Sequence, residues 1–357
     1  MKLGRELLRS TLVVVALAAL MLLHACTRPE RISGPTATRS FAMGCSWFPP
    51  RPDLGLALQV ADLSAQYSDH ALILVGVPWD SLLDGRPAER LVRGNELGLA
   101  EYYRAKGLDV VVSIDPTNGF DRASEAPALS ARHRSLADPA VQTLYRSYAL
   151  AIATLLRPEY LGLASETNLV RGIAPDSLYQ GLRIAANGAA GDVRVAVPST
   201  KLFVTVQVEF AWGRPSQSFV GVAADRADFP FLNALGLSSF PYLGGWADPD
   251  SLPLDYFSRL VDGAPLPVLQ IEGGWPSDEG SGVLSSPEMQ RRYVRRVALL
   301  LDEARAVGWF QINFTDLEEG QWPAGARQFA RIGLVDAALQ AKPALEEWRS
   351  VFARRLR

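Results

Sequence analysis

Residues Pro267 to Ser277 read P-V-L-Q-I-E-G-G-W-P-S. Val268 to Ile271 is a short apolar run. It is bounded by proline before and by Gly273 and Gly274 after, the pattern of a strand buried on both faces. Glu272 then stands at the C-terminal lip of that strand, next to glycines that admit close approach and to Trp275. A glutamate that merely opens a turn would look the same, so the stretch needs a counterpart. Tyr160 to Val170, Y-L-G-L-A-S-E-T-N-L-V, supplies one: an apolar strand ending at Glu166, with Ser165, Thr167 and Asn168 around it. The two glutamates are about a hundred residues apart. At roughly thirty residues per strand-helix unit, that is about three units of an alternating barrel, which sets the carboxylates across its mouth from each other.

The rest of the chain repeats the alternation. Apolar strands are expected at Phe41–Pro50, Ala71–Val77, Asp109–Ile114, Leu202–Val208, Leu235–Phe240 and Trp309–Phe314, besides the two above. Between them the spacing predicts helices over Leu54–Tyr67, Pro87–Lys106, Asp138 (as N-cap) to about Leu156, Ser177–Ala189, Pro253–Val261 and Pro287–Ala306, with a last one around Leu345–Phe352. Arg291, Arg292, Arg295 and Arg296 on the Pro287–Ala306 helix read as a solvated face. Eight mostly apolar strands alternating with helices argue for parallel strands covered by helices. The expected fold class is α/β, a single-domain (β/α)₈ TIM barrel over residues 39–357.

The 357 residues are 48% hydrophobic and 21% charged, with a net charge of −2, enough for one large domain with a substantial core. No dense Lys/Arg stripe points to nucleic acid. Residues 1–26 read as an address: Lys2, Arg5 and Arg9 precede an apolar stretch from Thr11 to Leu23, too short for an ordinary span. The ending L-H-A-C resembles a bacterial lipoprotein signal, with Cys26 as the lipidated residue and His24 as a departure from that pattern. A signal anchor or a secreted form are the other readings. Residues 27–38 look like a flexible tether. With lipid on Cys26, Cys45 would be left without a disulfide partner. His70 and His133 are the only histidines beyond the address, which argues against a zinc site and against a Ser-His-Asp triad. No metal and no cofactor is expected.

Chemistry in such a barrel lies at the strand C-termini. The residues there are Trp47, Trp79, Asp80, Asp115, Asn118, Glu166, Asn168, Glu209, Trp212, Tyr242, Glu272, Trp275 and Asp316: carboxylates and aromatics. No glycine-rich phosphate loop follows the last strands, which disfavours phosphorylated substrates.

The arrangement resembles the clan A glycoside hydrolases, retaining enzymes with an acid/base glutamate at the end of strand four and a nucleophile glutamate at the end of strand seven. Glu166 and Glu272 match those positions, and E-G-G-W-P is similar to the endo-β-1,4-galactanase branch. The resemblance implies that Glu272 attacks the anomeric carbon while Glu166, with a raised pKa, protonates the leaving oxygen. It implies Tyr242 orienting Glu272, and sugar contacts by Trp47, Trp79, Asp80, Asp115, Asn168, Trp212, Tyr242, Trp275 and Asp316. Two departures stand out. Ser165 occupies the place where the family carries an asparagine, and no arginine ends strand two. They leave a second reading open, a non-catalytic barrel that binds glycan or a protein partner. The partners expected are a carbohydrate and, through Cys26, a bacterial envelope membrane; a monomer is expected.

Overall fold

The computed structural model describes residues 38–214, 218–264, 266–279 and 283–357. The expected signal, Cys26 and nearly all of the tether lie outside the described residues. No helix among the described residues is long and apolar enough to cross a membrane.

Eight parallel strands close into a barrel: β1 (Ala42–Ser46), β2 (His70–Gly76), β3 (Asp109–Asp115), β4 (Tyr160–Gly162), β5 (Lys201–Phe203 with Thr205–Gln207), β6 (Leu235–Ser239), β7 (Val268–Gly273) and β8 (Gly308–Gln311). Neighbours pair in chain order, and β8 returns to pair with β1. Closure passes through β5, whose two halves meet at Val204. The first half pairs with β4 and the second with β6, so one strand of the sequence serves both neighbours. A short parallel ladder between Thr38–Arg39 and Arg355–Leu356 ties the start of the domain to its end.

Four apolar clusters result among the described residues. Leu72, Val111, Phe203, Leu269, Ile271 and Phe310 cluster together, apart from the two larger clusters that also take in the helices. Phe203 and Phe310 fit because small residues face them: a Cβ on Gly236 would come within 2.8 Å of Phe203, and one on Gly44 within 2.9 Å of Phe310. Burying strands on both faces is what made them read as unbroken apolar runs rather than alternating ones.

Local departures have local causes. The expected Pro87–Lys106 helix is two, Ala88–Asn95 and Leu97–Ala105, split at Glu96 just after Gly94 and Asn95, both weak helix formers. Asp138 stands at an N-cap position without capping, because its carboxylate accepts from Arg134 Nε and Ser135 N instead. Pro253–Val261 yields only a 3₁₀ turn at Ser258–Val261. A helix at Thr167–Ile173 follows Glu166 directly, inside a segment that reads as strand and loop in the sequence. The four arginines of the Pro287–Glu303 helix all find partners: Glu288 for Arg291, Asp248 and Asp250 for Arg292, Glu347 for Arg295 and the Leu252 carbonyl for Arg296. Cys45 is a buried free thiol in β1.

Candidate active site

Glu166 lies four residues past β4, where the chain turns into the Thr167–Ile173 helix. Its backbone is left-handed (φ 48°, ψ 47°), a conformation that costs a non-glycine residue about 1 kcal/mol or more. Tertiary contacts hold it there. Its N–H donates to Thr205 Oγ1 of β5 (2.8 Å), and the next residues are pinned by Asn168, whose amide exchanges two hydrogen bonds with the backbone of Gln207 (both 2.8 Å). The turn aims the Glu166 carboxylate into a cavity of about 760 Å³ at the strand C-termini. Glu272, the fifth residue of β7, enters the same cavity.

Ser238 of β6 joins the two. Its Oγ lies 2.8 Å from Glu166 Oε1 and 3.4 Å from Glu272 Oε2, which limits the separation of those two oxygens to about 6 Å. Arg122 closes the other side. It donates through Nε to Glu166 Oε2 (2.8 Å) and through an Nη to Asp115 Oδ2 (2.5 Å) and Thr117 Oγ1 (3.0 Å). Its side chain is only 7% exposed, so the guanidinium is committed to these two carboxylates in a place of weak screening. Burial first, then the facing charge of Glu166, pushes the Glu272 carboxyl well above the ordinary carboxylate range, against the opposing pull of Arg122. Two carboxylates this close share one proton more readily than they both ionise.

Glu209 is a further carboxylate of the cavity lining. Just past β5, it accepts from Tyr256 Oη (2.6 Å), Ser239 Oγ (2.8 Å) and Gln207 Nε2 (2.5 Å). Burial raises its pKa in spite of these donors.

Of the residues expected at the strand ends, Glu166, Glu272, Asp115 and Glu209 line the cavity; the others do not. Trp79 is 3% exposed and donates to the Pro116 carbonyl, a core residue. Trp275 is fully buried against Tyr242 and Tyr293, its indole N–H on Ser285. Tyr242 donates to the Gln328 carbonyl rather than to Glu272. Trp212 stacks on Tyr256 and donates to its carbonyl, while Trp47 stacks behind Phe48, which is the one that reaches the cavity. Asp80 pairs with Arg132 at the surface. Asn168 is spent on the β5 backbone. Asp316 forms a buried pair with Lys342 (2.7 Å) and accepts from Gly333 N, a structural strut. Trp79, Trp212, Trp275 and Tyr242 share one reason: an apolar body with one polar atom packs inward once that atom finds a carbonyl or hydroxyl.

Arg122 and Ser238 are what sequence reading missed. Arg122 sits in the polar loop after β3, seven residues beyond Asp115, whereas the arginine was sought at the end of strand two. Ser238 is one of two serines ending β6, a pair with no signal of its own. Among the described residues, His70, Asp109 and Glu159 also gather ligand atoms within 4.8 Å of one another, at the opposite end of the barrel. There Glu159 is already held by His70 (2.6 Å) and Lys201 (3.2 Å).

No family model and no curated protein matches the sequence. Solved structures do match in fold. An exo-β-1,4-mannosidase from Opitutaceae bacterium strain TAV5 superposes with a TM-score of 0.64 at 17% identity, over 92% of this chain and 62% of that one, so the chain spans less than two thirds of the mannosidase. The GH53 catalytic domain of Ignisphaera aggregans gives a TM-score of 0.57 at 17% identity, over 88% of this chain and 92% of that one. Xylanase 10B of Thermotoga maritima gives 0.59 at 12% identity, over 88% and 95%. At such identities the likeness is one of fold: the chain is a (β/α)₈ barrel of the shape that these carbohydrate-active enzymes share.

Proposed function

We propose that this barrel is a retaining β-glycoside hydrolase, with Glu166 as acid/base and Glu272 as nucleophile. The observation that carries the reading is Ser238, one hydroxyl in reach of both glutamates at the cavity floor. Their spacing suits direct attack on the anomeric carbon, where retaining pairs stand about 5 to 5.5 Å apart and inverting pairs leave room for a water.

Glu272, pushed up by burial and by the facing charge of Glu166, would have to give up its proton before it could attack. Ser238 offers a route: its oxygen accepts from neutral Glu272 while its own hydrogen goes to Glu166, so one concerted shift moves the proton across. Glu272 is then the free carboxylate that attacks the anomeric carbon. Glu166 protonates the departing oxygen as the glycosidic bond breaks, and later takes a proton from the water that releases the sugar.

A second reading has one observation in its favour. Arg122 on Glu166 holds that residue in a cationic setting, which suits a nucleophile and would make Glu272 the acid. One experiment separates them. A 2-deoxy-2-fluoro glycosyl fluoride of a sugar that the protein releases traps the covalent intermediate, and peptide mass mapping finds the label. Label on Glu272 supports the first assignment and label on Glu166 the second. The absence of turnover by the wild type on any β-glycoside, with Glu166→Gln and Glu272→Gln as controls, would sink both and favour a non-catalytic glycan binder.

The same reading keeps the enzyme at a bacterial envelope through Cys26, as a lipid-anchored protein. Labelled palmitate incorporated by the full chain and lost in Cys26→Ser tests that anchor.

A further inference from the structure

The linked charged set of the cavity lies at its floor, and Asp121, Gln207, Arg214 and Gln328 are further polar residues of the lining. Asp115, Arg122, Glu166, Ser238 and Glu272 form one bonded set deep between the strand ends, and Glu209 is held beside them by Ser239 and Tyr256. Above them the walls are Leu169, Ile173, Phe210, Phe240, Leu243 and Phe329, with Phe48 and Phe120 at the mouth. All the aromatics that line it are phenylalanines, which carry no polar atom to read a hydroxyl. Three of these wall residues are large apolar side chains left substantially in water: Phe120 at 56%, Ile173 at 49% and Leu243 at 44% exposure. Exposed apolar surface gathered around one opening marks a place where an apolar group is received.

The wall has a side. Leu169 and Ile173 belong to the helix that starts immediately after Glu166, and Phe210 packs on that helix at Gly172, where a Cβ would meet its ring at 2.3 Å. Phe120 reaches over from the loop that carries Arg122 and rests on Gly325. In a retaining enzyme the leaving group lies on the side of the acid. The part of the wall built by Leu169, Ile173, Phe210 and Phe120 therefore faces the aglycone, while the polar floor takes one sugar ring.

We infer that the substrate is a β-glycoside with an apolar aglycone, one sugar joined to an alkyl or aryl group, rather than a long polysaccharide. This rests on the glycosidase reading and on Glu166 as the acid. Along that wall a chain of sugars would set hydroxyls against phenylalanine, leucine and isoleucine faces that cannot bond them, leaving only Asp121, Gln207, Arg214 and Gln328 of the lining to do so, whereas each methylene buried there is worth about fourfold in binding.

The test compares methyl, octyl and 2-phenylethyl β-glycosides of each common hexose, all below micelle-forming concentrations, using the full chain. All three release a primary alcohol, so the chemistry of departure is matched and differences in kcat/KM report the wall. The expected result is an octyl or phenylethyl to methyl ratio of at least about tenfold, and the better of the two distinguishes a lipid-like from an aryl aglycone. In Phe120→Ser/Ile173→Asn the ratio falls towards one, while Ile184→Ser, exposed on a distant helix, keeps the wild-type ratio. Equal kcat/KM for all three, or faster cleavage of β-linked oligosaccharides, overturns the inference. If no glycoside is cleaved, the glycosidase reading fails separately, and calorimetric binding of the same compounds to the wild type decides this one. Tighter binding of the octyl or phenylethyl compound, abolished in the double variant, sustains the apolar site. Binding without preference overturns it.

Discussion

The two ends of this barrel hold similar charges in opposite ways. At the N-terminal end Glu159 is part-exposed between His70 and Lys201, and the hydrogen bond from His70, then Lys201, holds it down at about 2. At the C-terminal end Asp115, Glu166 and Glu272 crowd one buried arginine, the backbone at Glu166 is left-handed, and Glu272 is pushed up. The first arrangement suits stability. The second works against it, and like charges and strain held together by surrounding structure are what a reacting site requires. Charge count says little about either end; burial and the sign of the neighbours decide.

The largest effect should come from removing Arg122. Arg122→Leu leaves Asp115 and Glu166 buried without their cation, a loss of about 3–5 kcal/mol in unfolding free energy by chemical denaturation. A loss below about 1 kcal/mol would mean that the mouth is as well solvated as the base.

Next comes the sign of the pH dependence. For Glu272, raised in the fold, the stabilising contribution is full below about 4.5 and is lost as pH rises from there, so wild type minus Glu272→Gln should decline with increasing pH. For Glu159, lowered in the fold, the contribution is full above about 4.5 and is lost as pH falls towards about 2, so wild type minus Glu159→Gln should be flat at neutral pH and fall only in acid. Thermal melts across pH would show the two slopes; slopes of the same sign would break the contrast.

The smallest effect is expected at the base itself. His70→Ala, which removes one of two partners of the part-exposed Glu159, should cost about 1 kcal/mol or less at pH 7 and leave turnover at the mouth unaltered. Loss of sugar release in that variant would show that the two ends are coupled.

Much of the fold was legible in the sequence because each barrel strand is buried on both faces and so reads as an unbroken apolar run closed by a polar residue. Tyr160–Gly162 and Val268–Gly273 are the plainest cases, and the glutamates that follow or end them belong to the cavity for the same local reason. The tryptophans were read less well. Trp79 and Trp275 stand where exposed platforms would stand, and only the carbonyl of Pro116 and the hydroxyl of Ser285, which satisfy their N–H groups, make burial possible.

The sequence by itself determined the strand order, the alternation and the two glutamates, since those depend on burial patterns that run along the chain within a few residues. Tertiary structure decided the rest: that Arg122 meets Glu166 across 44 positions, that Ser238 spans 72 and 34 positions to reach both glutamates, and that Ile173 and Phe120 share one apolar wall. Those meetings are set by where closure of the barrel brings loops from different strands. No local pattern of residues encodes that placement, because a buried partner's identity is fixed by the packing of the whole ring.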